Sequence, residues 1–126
     1  MVTDILIVDD EVDFAETFAE RLRLRGFTVS VVNGGEQALR MVDESAVKVM
    51  VLDLKMPGMD GMEVLRRVKK DHPEVEVIIL SGHGSELDEA YGRNLGAFEY
   101  FRKPADIGDV VEAVKRAGKL KTDKTF

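Results

Sequence analysis

The stretch "VMVLDLKMPGMDG" (Val49–Gly61) decides the fold. Four apolar residues, Val49 to Leu52, run without a break into one carboxylate, Asp53. A loop containing Pro57, Gly58 and Gly61 follows. A continuous apolar run of this length suits a strand covered on both faces, as in a parallel sheet. Two more runs share the character, "DILIVD" (Asp4–Asp9) and "VEVIILS" (Val75–Ser81). "FTVSVV" (Phe27–Val32) alternates more and fits an edge, and "AFEYFRK" (Ala97–Lys103) makes the fifth.

Helical spacing fills the gaps. Phe14, Phe18 and Leu22 mark a first helix; Ala38, Leu39 and Val42 a second; Leu65 and Val68 a third. Leu87, Tyr91 and Leu95 mark a fourth, and Ile107, Val111 and Val114 a fifth. Gly26 stops the first helix, Asn33-Gly34-Gly35 precedes the second and Pro73 follows the third. The pattern predicts an α/β domain, a (βα)₅ parallel sheet with right-handed crossovers and helices on both faces. Strand order is not legible in the pattern. In a doubly wound sheet, a site lies at the strands' carboxyl ends.

The totals narrow the function. The 126 residues carry a net charge of −6, with 44% apolar and 33% charged residues, as expected of one soluble domain. The negative balance argues against direct nucleic-acid binding. The absence of cysteine removes disulfide, thiolate-metal and thiol-nucleophile chemistry. No run reaches membrane-spanning length and no signal peptide precedes the first strand, so a cytoplasmic protein is expected. Residues 1–118 read as the domain and 119–126 as a polar tail that frays.

The polar residues sit where the sheet would gather them. Asp9 and Asp10 follow strand one, Asp53 ends strand three, Ser81 ends strand four and Lys103 ends strand five. Two carboxylates about 4 Å apart repel by roughly 4 kcal/mol at an effective dielectric of about 20. A divalent cation relieves this, and oxygen-only ligands select Mg²⁺, with Mn²⁺ the other candidate. Lys103 adds charge and Ser81 a hydroxyl. Together they would place a phosphoryl group near Asp53, an ionised carboxylate able to act as nucleophile. Gly82 leaves that approach open.

The pieces "ILIVDDE", "VLDLKMPGMDG", "IILSGHG" and "FRKP", in this order, resemble the receiver domain of two-component response regulators, from Ile5 to about Ala117. The resemblance implies a flavodoxin-like sheet of order 2-1-3-4-5. It makes Asp53 the phosphoacceptor. Asp10 and Asp53 become direct Mg²⁺ ligands, with the Lys55 carbonyl as a third and Asp9 acting mainly through water. Lys103, before a Lys-Pro bond that is usually cis, pairs with the phosphoryl group. Ser81 moves toward that group, and Tyr100 is the aromatic switch whose ring turns inward. The implied donor is a phosphohistidine on a histidine kinase or phosphotransfer protein. Slow autodephosphorylation follows, and a switched surface of helix four, strand five and helix five meets a downstream partner or output domain. Phosphorylation-dependent homodimerisation through that surface is common in the family. Lys55 and His83 stand where phosphoryl lifetime is tuned.

Other readings fare less well. Asp9 and Asp10 would suit a helix N-terminus alone, but not in register with Asp53 and Lys103. A calcium loop would need glycine where Phe14 stands. A haloacid-dehalogenase-like phosphatase would want a second Asp where Lys55 stands. A flavodoxin would want hydroxyls where "DDEVDF" stands, and no P-loop motif occurs. Ser81 as a turn residue, Tyr100 as plain core, and a receiver-like binding module that is never phosphorylated stay open. Met56, Met59 and Met62 are expected to pack around the loop and third helix, and the two histidines to be exposed loop residues. "RRVKKDH" (Arg66–His72) reads as a solvated face. The internal Gly92 makes helix four marginal.

Overall fold

A computed structural model describes residues 2–82 and 84–120. In chain order the elements are β1 (Val2–Val8), α1 (Val12–Leu24), β2 (Val29–Val32), α2 (Gly35–Glu44), β3 (Ala46–Leu52), α3 (Gly61–Asp71), β4 (Glu76–Ser81), α4 (Glu86–Asn94), β5 (Glu99–Arg102) and α5 (Ile107–Gly118). Every strand pair is parallel, in the order β2-β1-β3-β4-β5.

Strand alternation splits the apolar residues into two cores. Ile5, Ile7, Val49, Val51, Ile78 and Leu80 pack with α1 and α5 on one face. Leu6, Val8, Met50, Leu52, Val77 and Ile79 pack with α2 and α3 on the other. This is why β1, β3 and β4 are apolar at nearly every position. The two outer strands are shorter than their apolar runs suggest. Phe27 is buried, but it precedes the β2 ladder. Thr28 is held to Asp4 instead: its N–H donates to Asp4 Oδ2 at 3.1 Å and its Oγ1 accepts from Asp4 N at 2.9 Å.

Helix ends follow local chemistry. Gly26, at φ 96°, closes α1 in the left-handed region that glycine tolerates. Asp60 and Asp106 cap α3 and α5, and Ser85 with Asp88 forms a capping box on α4.

Helix α4 departs from the expected stripe. Leu87 and Tyr91 face solvent, at 83% and 53% exposure, and Gly92 is the buried residue. A Cβ on Gly92 would lie 2.7 Å from Ile79 Cδ1, so the missing side chain lets α4 settle directly on β4. Bringing Gly92 against the sheet turns Leu87 and Tyr91 outward. Lys69 likewise leaves the expected solvated face of α3, because its Nζ donates to the Pro73 and Val75 carbonyls and pairs with Glu76 at 2.9 Å.

Candidate functional site

The carboxyl ends of β1, β3, β4 and β5 meet at one point. Asp9 and Asp53 each stand one residue beyond their strands, and their N–H groups extend the ladder, Asp9 to Val32 O at 3.1 Å and Asp53 to Val8 O at 2.9 Å. Lys103 N–H donates to Ser81 O at 3.1 Å. Backbone pairing therefore fixes four of the singled-out residues before their side chains interact.

The carboxylates of Asp9, Asp10 and Asp53 converge, each offering an oxygen within 4.8 Å of the others. Asp9 is 3% exposed and Asp53 2%. Both oxygens of Asp9 are engaged: Oδ1 accepts from Glu11 N at 2.9 Å and Oδ2 from Lys103 Nζ at 2.8 Å. Asp53 differs. Its Oδ1 is buried without a hydrogen-bond partner among the described residues. Buried polar atoms are seldom left so, because each costs about 1–3 kcal/mol.

Burial pushes the Asp53 carboxyl above the usual carboxylate range. A hydrogen bond with the Ser81 side chain pulls it back, Asp9 pushes it up, Lys103 draws it down and Asp10 raises it again. For Lys103, burial favours the neutral amine, but hydrogen bonds to Asp9 and Glu11 outweigh it and leave the pKa raised. The lysine therefore stays cationic beside the acids.

The loop after Asp53 is shaped by contact with its own strand. Gly61 N–H donates to Leu54 O at 2.9 Å, and a Cβ on Gly61 would meet Asp53 O at 2.4 Å and Leu54 Cα at 2.6 Å. Gly58, at φ 80°, makes the turn. Lys55 lies exposed within this loop, while Met56, Met59 and Met62 pack on the α2/α3 core. Gly82 is exposed, and the Lys103-Pro104 bond is cis.

Tyr100 is buried at 7% exposure, with its ring packed inward. Burial pushes its phenol pKa up, and Oη has no partner among the described residues. Oη lies 1.3 Å from where a Cβ on Gly84 would be, so it fills the space that residue leaves empty. His83 lies outside the described residues.

Two contacts of the site escaped the sequence reading. Glu11 Oε1 accepts from Lys103 Nζ at 2.8 Å, and the same ammonium sits 4.1 Å from the centroid of the Phe14 ring. Glu11 stands beside an acidic pair and could have been suspected, whereas Phe14 carries only the mark of a helix core residue.

Residues 5–115 match the response regulator receiver domain. The chain belongs to this family. Relatives of the receiver include the transcriptional regulatory protein CpxR of Klebsiella pneumoniae, 38% identical over 111 residues, covering 88% of this chain and 47% of that protein. A putative NtrX-like response regulator of Rickettsia bellii is 38% identical over 116 residues, covering 90% of this chain and 24% of its own length. The chain thus spans half or less of these curated relatives. A receiver domain structure from Clostridium thermocellum superposes with a TM-score of 0.87 at 34% identity, covering 93% of this chain and 94% of that one. A CheY-like receiver from Methanospirillum hungatei gives 0.87 at 27% identity, covering 92% and 93%. The flavodoxin-like receiver fold and its 2-1-3-4-5 strand order are those that the family resemblance implied. Among the described residues, no helix is long and apolar enough to cross a membrane.

Proposed function

We propose that this receiver, residues 1–118, is phosphorylated on Asp53 by a phosphohistidine of a partner histidine kinase or phosphotransfer protein. The observation that carries this reading is the Asp53 carboxylate: buried, with Oδ1 unpartnered, inside a cluster of three acids. An Asp53 oxygen attacks phosphorus, an O–P bond forms and the P–N bond breaks. The imidazole nitrogen leaves with the electron pair. No general base is required, since the nucleophile is the ionised carboxylate. Lys103 supplies positive charge near the phosphoryl oxygens and Ser81 a hydroxyl donor.

The donor set suits a hard divalent cation. Three carboxylates within 4.8 Å and one orphaned oxygen fit Mg²⁺ or Mn²⁺ better than a softer metal. Asp10, Asp53 and the Lys55 carbonyl would hold it, with Asp9 contributing through water. When bound, such an ion offsets the carboxylates' repulsion and the charge on the phosphoryl oxygens.

Phosphorylation adds negative charge at Asp53 and draws Ser81 and Lys103 toward it. Tyr100, already inward beneath Gly84, couples that end of β4 to β5. The responding surface is joined by ion pairs: Arg93 of α4 bonds Glu99 of β5 at 2.7 Å, and Arg116 of α5 lies 4.0 Å from Glu99. Leu87 and Tyr91 expose apolar area beside this network, which suits a protein partner, an output domain or a second copy. Partner choice rests with proteins, since a charge of −6 disfavours direct contact with nucleic acid.

The test is an intact-mass measurement after incubation with Mg²⁺ and a small phosphodonor such as acetyl phosphate. One phosphoryl adduct, stable in acid, labile in base and missing in Asp53→Ala, is expected. No adduct from any donor or kinase would refute it and favour a receiver-like binding module.

A further inference from the structure

We propose that Glu11 and Phe14 form a latch on Lys103, which holds the ammonium at rest and competes with an incoming phosphoryl group for it. This rests on the phosphoacceptor reading of Asp53. An ammonium has three N–H donors. Among the described residues, Lys103 Nζ has three matching neighbours: Asp9 Oδ2 at 2.8 Å, Glu11 Oε1 at 2.8 Å and the Phe14 ring, with its centroid at 4.1 Å. Donating to a phosphoryl oxygen on Asp53 means surrendering one of them.

The three are unequal. The Asp9 side chain is 4% exposed, so stripping its cation would strand a buried charge. Glu11 is 58% exposed, and water replaces the lysine there readily. Phe14 is stacked on Phe18 with centroids 5.8 Å apart and planes 10° apart, so its ring stays behind when the amine moves. Glu11 is thus the contact released first, and Phe14 the one whose attraction is lost with displacement. Both are positioning residues, because they act through Lys103.

The experiment measures beryllofluoride affinity in excess Mg²⁺ for the parent, Glu11→Ala, Glu11→Gln and Phe14→Leu, and follows the Lys103 ε-methylene resonance by NMR. Glu11→Ala should bind about two- to fivefold more tightly, the range for one exposed ion pair. Glu11→Gln, whose amide oxygen still accepts, should gain less. Phe14→Leu should also gain, and its Lys103 ε-protons should move downfield as the ring-current shift disappears. A merely structural role would lower the melting temperature and leave the beryllofluoride affinity unchanged. If the parent binds but Glu11→Ala and Phe14→Leu bind equally or more weakly, the latch is overturned. If the parent itself fails to bind, the phosphoacceptor reading falls and the latch falls with it.

Discussion

Asp53→Asn should stabilise the metal-free domain. The oxygens of Asp9, Asp10 and Asp53 approach within 4.8 Å, where two unit charges repel by roughly 3.5 kcal/mol at an effective dielectric of about 20. Lys103 compensates Asp9 directly at 2.8 Å, which leaves Asp10 as the less balanced neighbour of Asp53. The Ser81 hydrogen bond and the attraction of Lys103 recover part of that repulsion. A net gain of about 2 kcal/mol remains for the amide. With an unfolding entropy of about 2.1 cal/mol/K per residue, that is a rise of roughly 8 °C in a chain of 126 residues.

Circular-dichroism melts at pH 7 in a chelator measure this. Excess Mg²⁺ should raise the parent's melting temperature far more than the variant's, since a ligand stabilises only the state that binds it. The pH dependence has a definite sign. Asp53 binds its proton more tightly folded than unfolded, so its contribution is full below the ordinary carboxylate pKa. It is lost as pH rises through the raised folded-state value, and the Asn variant should lack that component. A variant that melts at or below the parent in chelator would refute the charge argument.

Gly61→Ala should cost about 1–3 kcal/mol in urea unfolding, because its Cβ would meet backbone 2.4 Å away that cannot rotate aside. Gly84→Ala should expel the Tyr100 ring, seen as a loss of near-ultraviolet dichroism and easier acrylamide quenching of tyrosine emission; unchanged spectra would show that the pocket yields. Lys55→Asn should change the decay rate of the phosphorylated form, followed by intact mass, since the exposed lysine stands two residues past Asp53, the proposed acceptor; identical decay curves would remove it from that role. Leu87→Ser should alter stability by less than about 0.5 kcal/mol, as suits a side chain that is 83% exposed.

The sheet was legible because burial on both faces leaves a plain signature in Ile5–Val8, Val49–Leu52 and Val77–Leu80. The convergence of the candidate site's polar residues was legible because each of those strands ends on a polar residue, or one residue before it. Strand order came through only by family resemblance, since nothing in a run of valines names its neighbour. The fourth helix misled: spacing of four joined Leu87, Tyr91 and Leu95, but contact with β4 is decided by Gly92, which has no side chain to register in such a pattern. The Lys103–Glu11 bond spans 92 residues of sequence, and the fit of Tyr100 Oη into the space beside Gly84 depends on tertiary placement alone.

The bare spot at Gly92 also bears on how α4 could move. Helices usually lock to a sheet by pushing side chains into hollows, and shifting them means withdrawing each one. Here the buried point of contact is smooth backbone against the tip of Ile79. Rotation or sliding of α4 would have little to pull free there, and the restraint falls to Leu95, packed on the core at its far end, and to its capped start and the Arg93–Glu99 tether, these last two at the surface and within reach of solvent.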